Sequence, residues 1–121
     1  MKVLWNPDVD IDAILHEYCK RMFGKAAATM QELIQLECDR WEKTHWTRIQ
    51  RDNGRLDPKV FAETWPPEVV ERMSKLWKQA RQELKDDPVS LQRFEYTTWS
   101  FEYFLKEAKK EWKEAKAWHL W

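Results

Sequence analysis

"PVSLQRFEYTTWSFEYFLKEAKKEWKEAKAW", residues 88–118, decides the fold class. Leu91, Phe94, Thr98, Phe101, Leu105, Ala108, Trp112 and Ala115, running on to His119, recur at intervals of three and four. That spacing lines one face of an α-helix, whereas a half-buried strand alternates every second residue. The pattern holds for about eight turns, so it predicts one long helix from Pro88 to Trp118. Asp87-Pro88 supplies its start: the carboxylate caps exposed N–H groups, and proline's missing N–H costs nothing at the first helical position.

Working back toward the N-terminus, the same period recurs three times. Val69, Val70, Met73, Leu76, Trp77, Ala80 and Leu84 predict a helix from about Pro67 to Lys85, after the extended Pro66-Pro67. Ala27, Met30, Ile34, Cys38, Trp41, His45 and Ile49, broadened by Leu33 and Leu36, predict one from Ala26 to Arg51, ended by Asn53-Gly54. Ile11, Ile14, Leu15, Tyr18, Cys19 and Met22 predict a first helix that Asp10 or Asp12 caps and Gly24 stops. Between the second and third helices lies an irregular connector, Arg55 to Trp65, with a helical turn after Asp57-Pro58. There Val60, Phe61 and Trp65 are expected to cover the bundle end. The short links at Gly24 and Asp86-Asp87 make their flanking helices antiparallel neighbours. The expected fold is all-α, an antiparallel four-helix bundle forming a single domain over residues 1–121.

Composition agrees. Two glycines in 121 residues are too few for the turns of an all-β fold. Lys+Arg and Asp+Glu both number 21, so the cationic field of a nucleic-acid binder is missing and no nucleic-acid partner is expected. No apolar run approaches the roughly 20 residues of a membrane span, and the first residues lack the apolar segment of a signal peptide. No membrane partner is expected, and the compartment is left open. Cys19 and Cys38 fall at different distances from the Gly24 turn. Their heights along the hairpin differ by roughly 13 Å, so both are expected as free, largely buried thiols.

Catalytic and metal signatures are sparse. In His16-Glu-Tyr-Cys-Lys20, a zinc-protease motif needs a second histidine where Lys20 stands. His45 and His119 are isolated, so no metal ligands, cofactor site or catalytic residues are assigned. Most acids pair with Lys or Arg at helical spacing, as Glu102 does with Lys106, which is the pattern of a solvated face.

Tryptophan is in excess. Of nine, Trp41, Trp77 and Trp112 lie on the apolar stripes and are expected in the core. Trp46, Trp99, Trp118 and Trp121 lie beside or off the stripes, and Trp5 precedes any helix. Exposed tryptophan is enriched where proteins meet partners. Trp5, Trp118 and Trp121 are therefore the candidate interface.

The stretch Leu4 to Met30, "LWNPDVDIDAILHEYCKRMFGKAAATM", also resembles a segment of large, mostly bacterial glycosidase-like proteins. They are catalogued as domain of unknown function 4838 and related to α-glucuronidase- and hexosaminidase-type glycoside hydrolases. The matching residues are Trp5, Pro7, Asp8, Asp10, Leu15, Gly24, Ala26, Ala27 and Met30; Phe23 and Lys25 depart from the family's Tyr and Pro. The helix starts at Pro67-Glu68-Val69 and Asp87-Pro88 look similar to the family's later helices. The resemblance implies a non-catalytic helical accessory domain, cut from a larger protein and packed on a barrel domain outside this sequence, with the catalytic carboxylates on that barrel. The alternative is a free-standing module for protein interaction or for homodimerisation through its tryptophans.

Overall fold

The computed structural model describes residues 8–43 and 58–117. Among them are six α-helices and no strand: α1 (Ile11–Phe23), α2 (Ala27–Lys43), α3 (Pro58–Thr64), α4 (Pro67–Glu83), α5 (Pro88–Thr98) and α6 (Phe101–Ala117). A single 3-10 turn, Gly24–Ala26, joins α1 to α2. The part of the second helix expected between residues 44 and 51, with His45 and Trp46, lies outside the described residues, as does the Asn53-Gly54 break.

Local chemistry explains the helix ends. The Asp10 carboxylate accepts from the N–H groups of Asp12 (3.0 Å) and Ala13 (3.2 Å), capping α1. At its far end Gly24 takes φ +47°, a left-handed value that a side chain resists. The Arg93 guanidinium, from α5, donates to the Arg21 carbonyl at 2.9 Å and satisfies one of the orphan acceptors there. Arg40 does the same for α3: its Nε donates to the Thr64 carbonyl (2.8 Å) and a terminal nitrogen to the Glu63 carbonyl (2.7 Å). Asp87 caps α5 by accepting from the Ser90 N–H at 3.1 Å.

The long helix expected over residues 88–118 is broken. It stops at Thr98, and α6 begins at Phe101. The cause lies in two adjacent β-branched residues. The Thr97 hydroxyl donates to the Arg93 carbonyl (2.8 Å) and the Thr98 hydroxyl to the Phe94 carbonyl (2.7 Å). Each competes with the helix's own ladder for an acceptor, which weakens and bends a helix. Ser100 restarts the ladder, its carbonyl accepting from Phe104 N–H at 3.0 Å. The apolar period survives the break because Phe94, Phe101, Ala108 and Ala115 are all buried.

The helices form a bundle. Helix α1 lies against α2 and α5, α2 also against α4, and α3 against α6. Phe23, Met30, Leu33, Met73, Leu76, Leu84 and Phe94 fill the centre. A run of rings continues the core toward α3. Trp77 stacks on Phe101 (centroids 5.5 Å), Phe101 leans on Phe104 (6.0 Å), and Phe104 meets Trp65 edge-on (5.6 Å) and Phe61 (6.2 Å). Val60 and Trp65 are buried as expected.

Two residues on the second stripe depart from expectation. Cys38 and Trp41 are exposed, not buried. The inward line of α2 runs through Thr29, Met30, Leu33 and Glu37, rotated from the predicted Met30–Ile34–Cys38–Trp41 line. Helix α4 packs there, so the leucine that seemed to broaden the stripe is its centre.

Candidate functional site

Trp5, Trp118 and Trp121, the tryptophans expected to form an interface, lie outside the described residues. The other sequence candidates are placed. His16 shares a hydrogen bond with Gln31 (Nδ1 to Oε1, 3.0 Å), and Lys20 is exposed. Cys19 is fully buried, and burial pushes its thiol above the usual range, away from the reactive thiolate. Among the described residues no three of His, Cys, Asp and Glu converge as metal ligands. No described helix is long and apolar enough to cross a membrane.

Large exposed side chains gather elsewhere. Tyr96 (82% exposed), Trp99 (79%) and Tyr103 (65%) follow one another at spacings of three and four across the α5–α6 break. Trp41, on α2, is 53% exposed. Trp99 agrees with its off-stripe position. The remaining aromatics at the junction turn inward, as Phe94 and Phe101 do.

Between Trp41 and the junction the bundle opens into a cleft of about 480 Å³. That size falls within the range of small-ligand pockets, roughly 300–1,000 Å³. Helix α2 supplies Ile34, Glu37 and Trp41 to one wall; Phe61 and Trp65 close the end; Thr97, Thr98 and Ser100 form the opposite rim. Phe101 and Phe104 lie at its base with Met73. The walls are mainly apolar, because each of these helices turns its core stripe toward the gap.

Glu37 is the exception on those walls. It stands one helical turn after Leu33 and one before Trp41, so the helix period carries a carboxylate onto an apolar face. Burial raises its pKa above the usual carboxylate range. No described lining residue is Lys, Arg or His. Such a charge is costly unless something balances it. The threonines carry a related asymmetry. Both hydroxyl protons are committed to backbone carbonyls, which leaves the oxygens to accept.

Sequence reasoning missed Glu37, Thr97 and Thr98. The signal for Glu37 was present as an acid in register with Met30 and Leu33. It was hidden because Ile34 and Cys38 offered a rival stripe one residue along. The threonine pair interrupts α5 without breaking the apolar period, so periodicity alone does not reveal it.

Comparison with protein-family models, with curated proteins and with solved structures finds no match to this chain.

Proposed function

We propose that this chain is a non-catalytic helical interaction domain. The observation that carries the reading is the set of exposed aromatic side chains, Tyr96, Trp99, Tyr103 and Trp41, on an otherwise well-packed bundle. Amphipathic aromatics are enriched at protein interfaces, where a ring loses water on contact while its polar tip keeps a partner. The charged residues support the non-catalytic part. Arg21 pairs with Glu17, Arg72 with Glu32, Lys75 with Glu71 and Arg81 with Glu95, all partly or largely exposed. These are solvated helix faces, not a convergent site.

The more specific form of the proposal is an accessory domain that packs on the barrel of a glycoside hydrolase. The Leu4–Met30 motif supports it, together with the proline-led start at Pro67 and the capped start at Asp87-Pro88, which are helix starts in the structure. With it goes the antiparallel four-helix arrangement, α5 and α6 acting as one interrupted fourth member. A homodimer through the same aromatics is the second form; it draws on the exposed rings alone.

The coding sequence upstream of Leu4, with sedimentation of the purified chain, separates these forms. A barrel encoded in frame, and a chain that stays monomeric alone, supports the accessory form. Concentration-dependent dimerisation lost in the Y96A/W99A/Y103A variant supports the homodimer. Turnover of aryl glycosides by the chain, abolished by changing one of its own Asp or Glu residues, overturns the non-catalytic reading.

A further inference from the structure

Helix α6 sorts its charges by side. Beyond Tyr103 its exposed described residues are Lys106, Lys109, Lys110, Lys113 and Lys116, all lysines. The glutamates of the same stretch, Glu107, Glu111 and Glu114, are partly or fully buried. Glu102 is the one exposed acid on the described helix. Among the described residues none of these lysines is ion-paired. The lysine face continues a row of exposed rings. Tyr96, Trp99, Tyr103, Lys106, Lys110 and Lys113 alternate at spacings of three and four, which keeps them on one side of the α5–α6 pair. The register survives the break, since Phe94, Phe101, Ala108 and Ala115 stay buried on the opposite side. From Tyr96 to Lys116 the face is about 30 Å long. The chain's zero net charge conceals it. At physiological salt a charge acts over roughly 8 Å, so the local balance decides what is attracted.

The occupant of such a face must be anionic, must lie flat along a convex helix and must accept aromatic rings at one end. Lysine is depleted at protein–protein interfaces, which disfavours a protein partner over the lysine half. Single-stranded nucleic acid is held in basic grooves, where bases stack on rings, and an outward helix offers no groove. An anionic bilayer meets all three demands. Trp and Tyr settle at the depth of the headgroups, and lysines gather acidic lipids beneath them. We propose that the Tyr96–Lys116 face is a docking surface for an anionic lipid bilayer. Tyr96, Trp99 and Tyr103 seat among the headgroups, and the α6 lysines meet the acidic lipids. The row holds no aliphatic anchor, so the contact is peripheral and reversed by salt. The inference goes beyond the interaction-domain reading. It shares the three rings with that reading, but the lysines carry it, so either can fail alone.

The test is co-sedimentation of the full chain with two kinds of vesicle: pure phosphatidylcholine, and equal parts phosphatidylcholine and phosphatidylglycerol. The chain is expected to bind the anionic vesicles at least tenfold more tightly than the neutral ones, and to be released by molar salt. The variant K106Q/K110Q/K113Q is expected to lose at least tenfold in affinity for the anionic vesicles. The variant K20Q/K78Q/K85Q removes the same charge from exposed lysines outside α6 and is expected to stay within twofold of the parent. Y96A/W99A/Y103A is expected to weaken binding to both vesicles, since the rings contribute without charge. Thermal melts of each variant separate lost binding from lost folding. Equal binding to neutral and anionic vesicles overturns the proposal, as does no binding at millimolar lipid. So does an equal loss in the two lysine variants. Retention of an oligothymidylate or of polyglutamate by the α6 lysines, with no vesicle binding, assigns the face to nucleic acid or to acidic protein and also overturns it.

Discussion

The Trp112 indole nitrogen donates to the Trp65 carbonyl at 2.6 Å, tying α6 to the residue that follows α3. Trp65 is buried, and its carbonyl lies where the chain leaves α3 for Pro66, beyond the helix ladder. Trp112→Phe removes the donor and keeps most of the ring. The expected cost is about 1 kcal/mol for the hydrogen bond, more if the carbonyl is left dry. Urea denaturation of the variant checks it; an unchanged midpoint means water replaces the indole.

Phe101 stacks on Trp77 and touches Phe104, at the point where the two halves of the broken helix meet the core. Phe101→Ala is expected to destabilise the fold by about 3–5 kcal/mol, the range for truncating a buried aromatic. A thermal melt equal to the parent's would show that the ring is not buried in solution.

Gly24 is needed for both conformation and space. Its φ of +47° disfavours any side chain, and a Cβ built there lies 3.0 Å from the Ser90 hydroxyl and 3.3 Å from an Asp87 carboxylate oxygen. Gly24→Ala should cost about 1–2 kcal/mol from the left-handed backbone alone. Adding Ser90→Ala to that variant should recover part of any steric excess and none of the backbone cost. Chemical denaturation of the single and double variants separates the two contributions.

Glu37 and Asp87 make opposite contributions to acid stability. Burial raises Glu37, so the native state holds its proton at pH values where the unfolded chain has released it. Its contribution to stability therefore falls as pH rises from the ordinary glutamate value through the raised one. Asp87 is held below the ordinary range, first by the Ser90 backbone N–H and then by the Ser90 hydroxyl. What it contributes is present above the unfolded value and is lost as pH falls through the lowered one. Glu37→Gln is expected to raise the melting temperature at pH 7, with the gain shrinking on acidification through the glutamate range. A constant difference across pH would mean that the carboxylate is not desolvated.

The helices were legible because their signals are local. Asp10, Gly24, Pro67 and Asp87-Pro88 act on the backbone within a turn of themselves, and the structure uses each as expected. The stripes of α4 and α5–α6 were also correct, since only one apolar face exists on each. Helix α2 offered two overlapping faces, Met30–Ile34–Cys38 and Met30–Leu33–Glu37, and only its neighbour α4 decides between them. The cleft was illegible for the same reason. It exists where Trp41 of α2 comes near Thr97 of α5, residues far apart in sequence and unrelated by any period.

The interruption at Trp99-Ser100 also bears on how the fold opens. Helix α5 is held by α1, through Arg93 among other contacts, whereas α6 is held by α3, through Trp112 and Phe104, and by α4, through the Trp77–Phe101 stack. A continuous helix would transmit any loosening at one end to the other. Here the two threonine hydroxyls compete with the ladder between the two halves, so α3 and α6 can open together at the cost of the Trp77–Phe101 stack and the Arg40 bonds to the α3 carbonyls, while α1, α2, α4 and α5 keep their mutual contacts. Amide hydrogen exchange should then fall into two classes. The amides of α3 and α6 would exchange through a shared, lower-energy opening, and those of α1, α4 and α5 only when the whole chain unfolds.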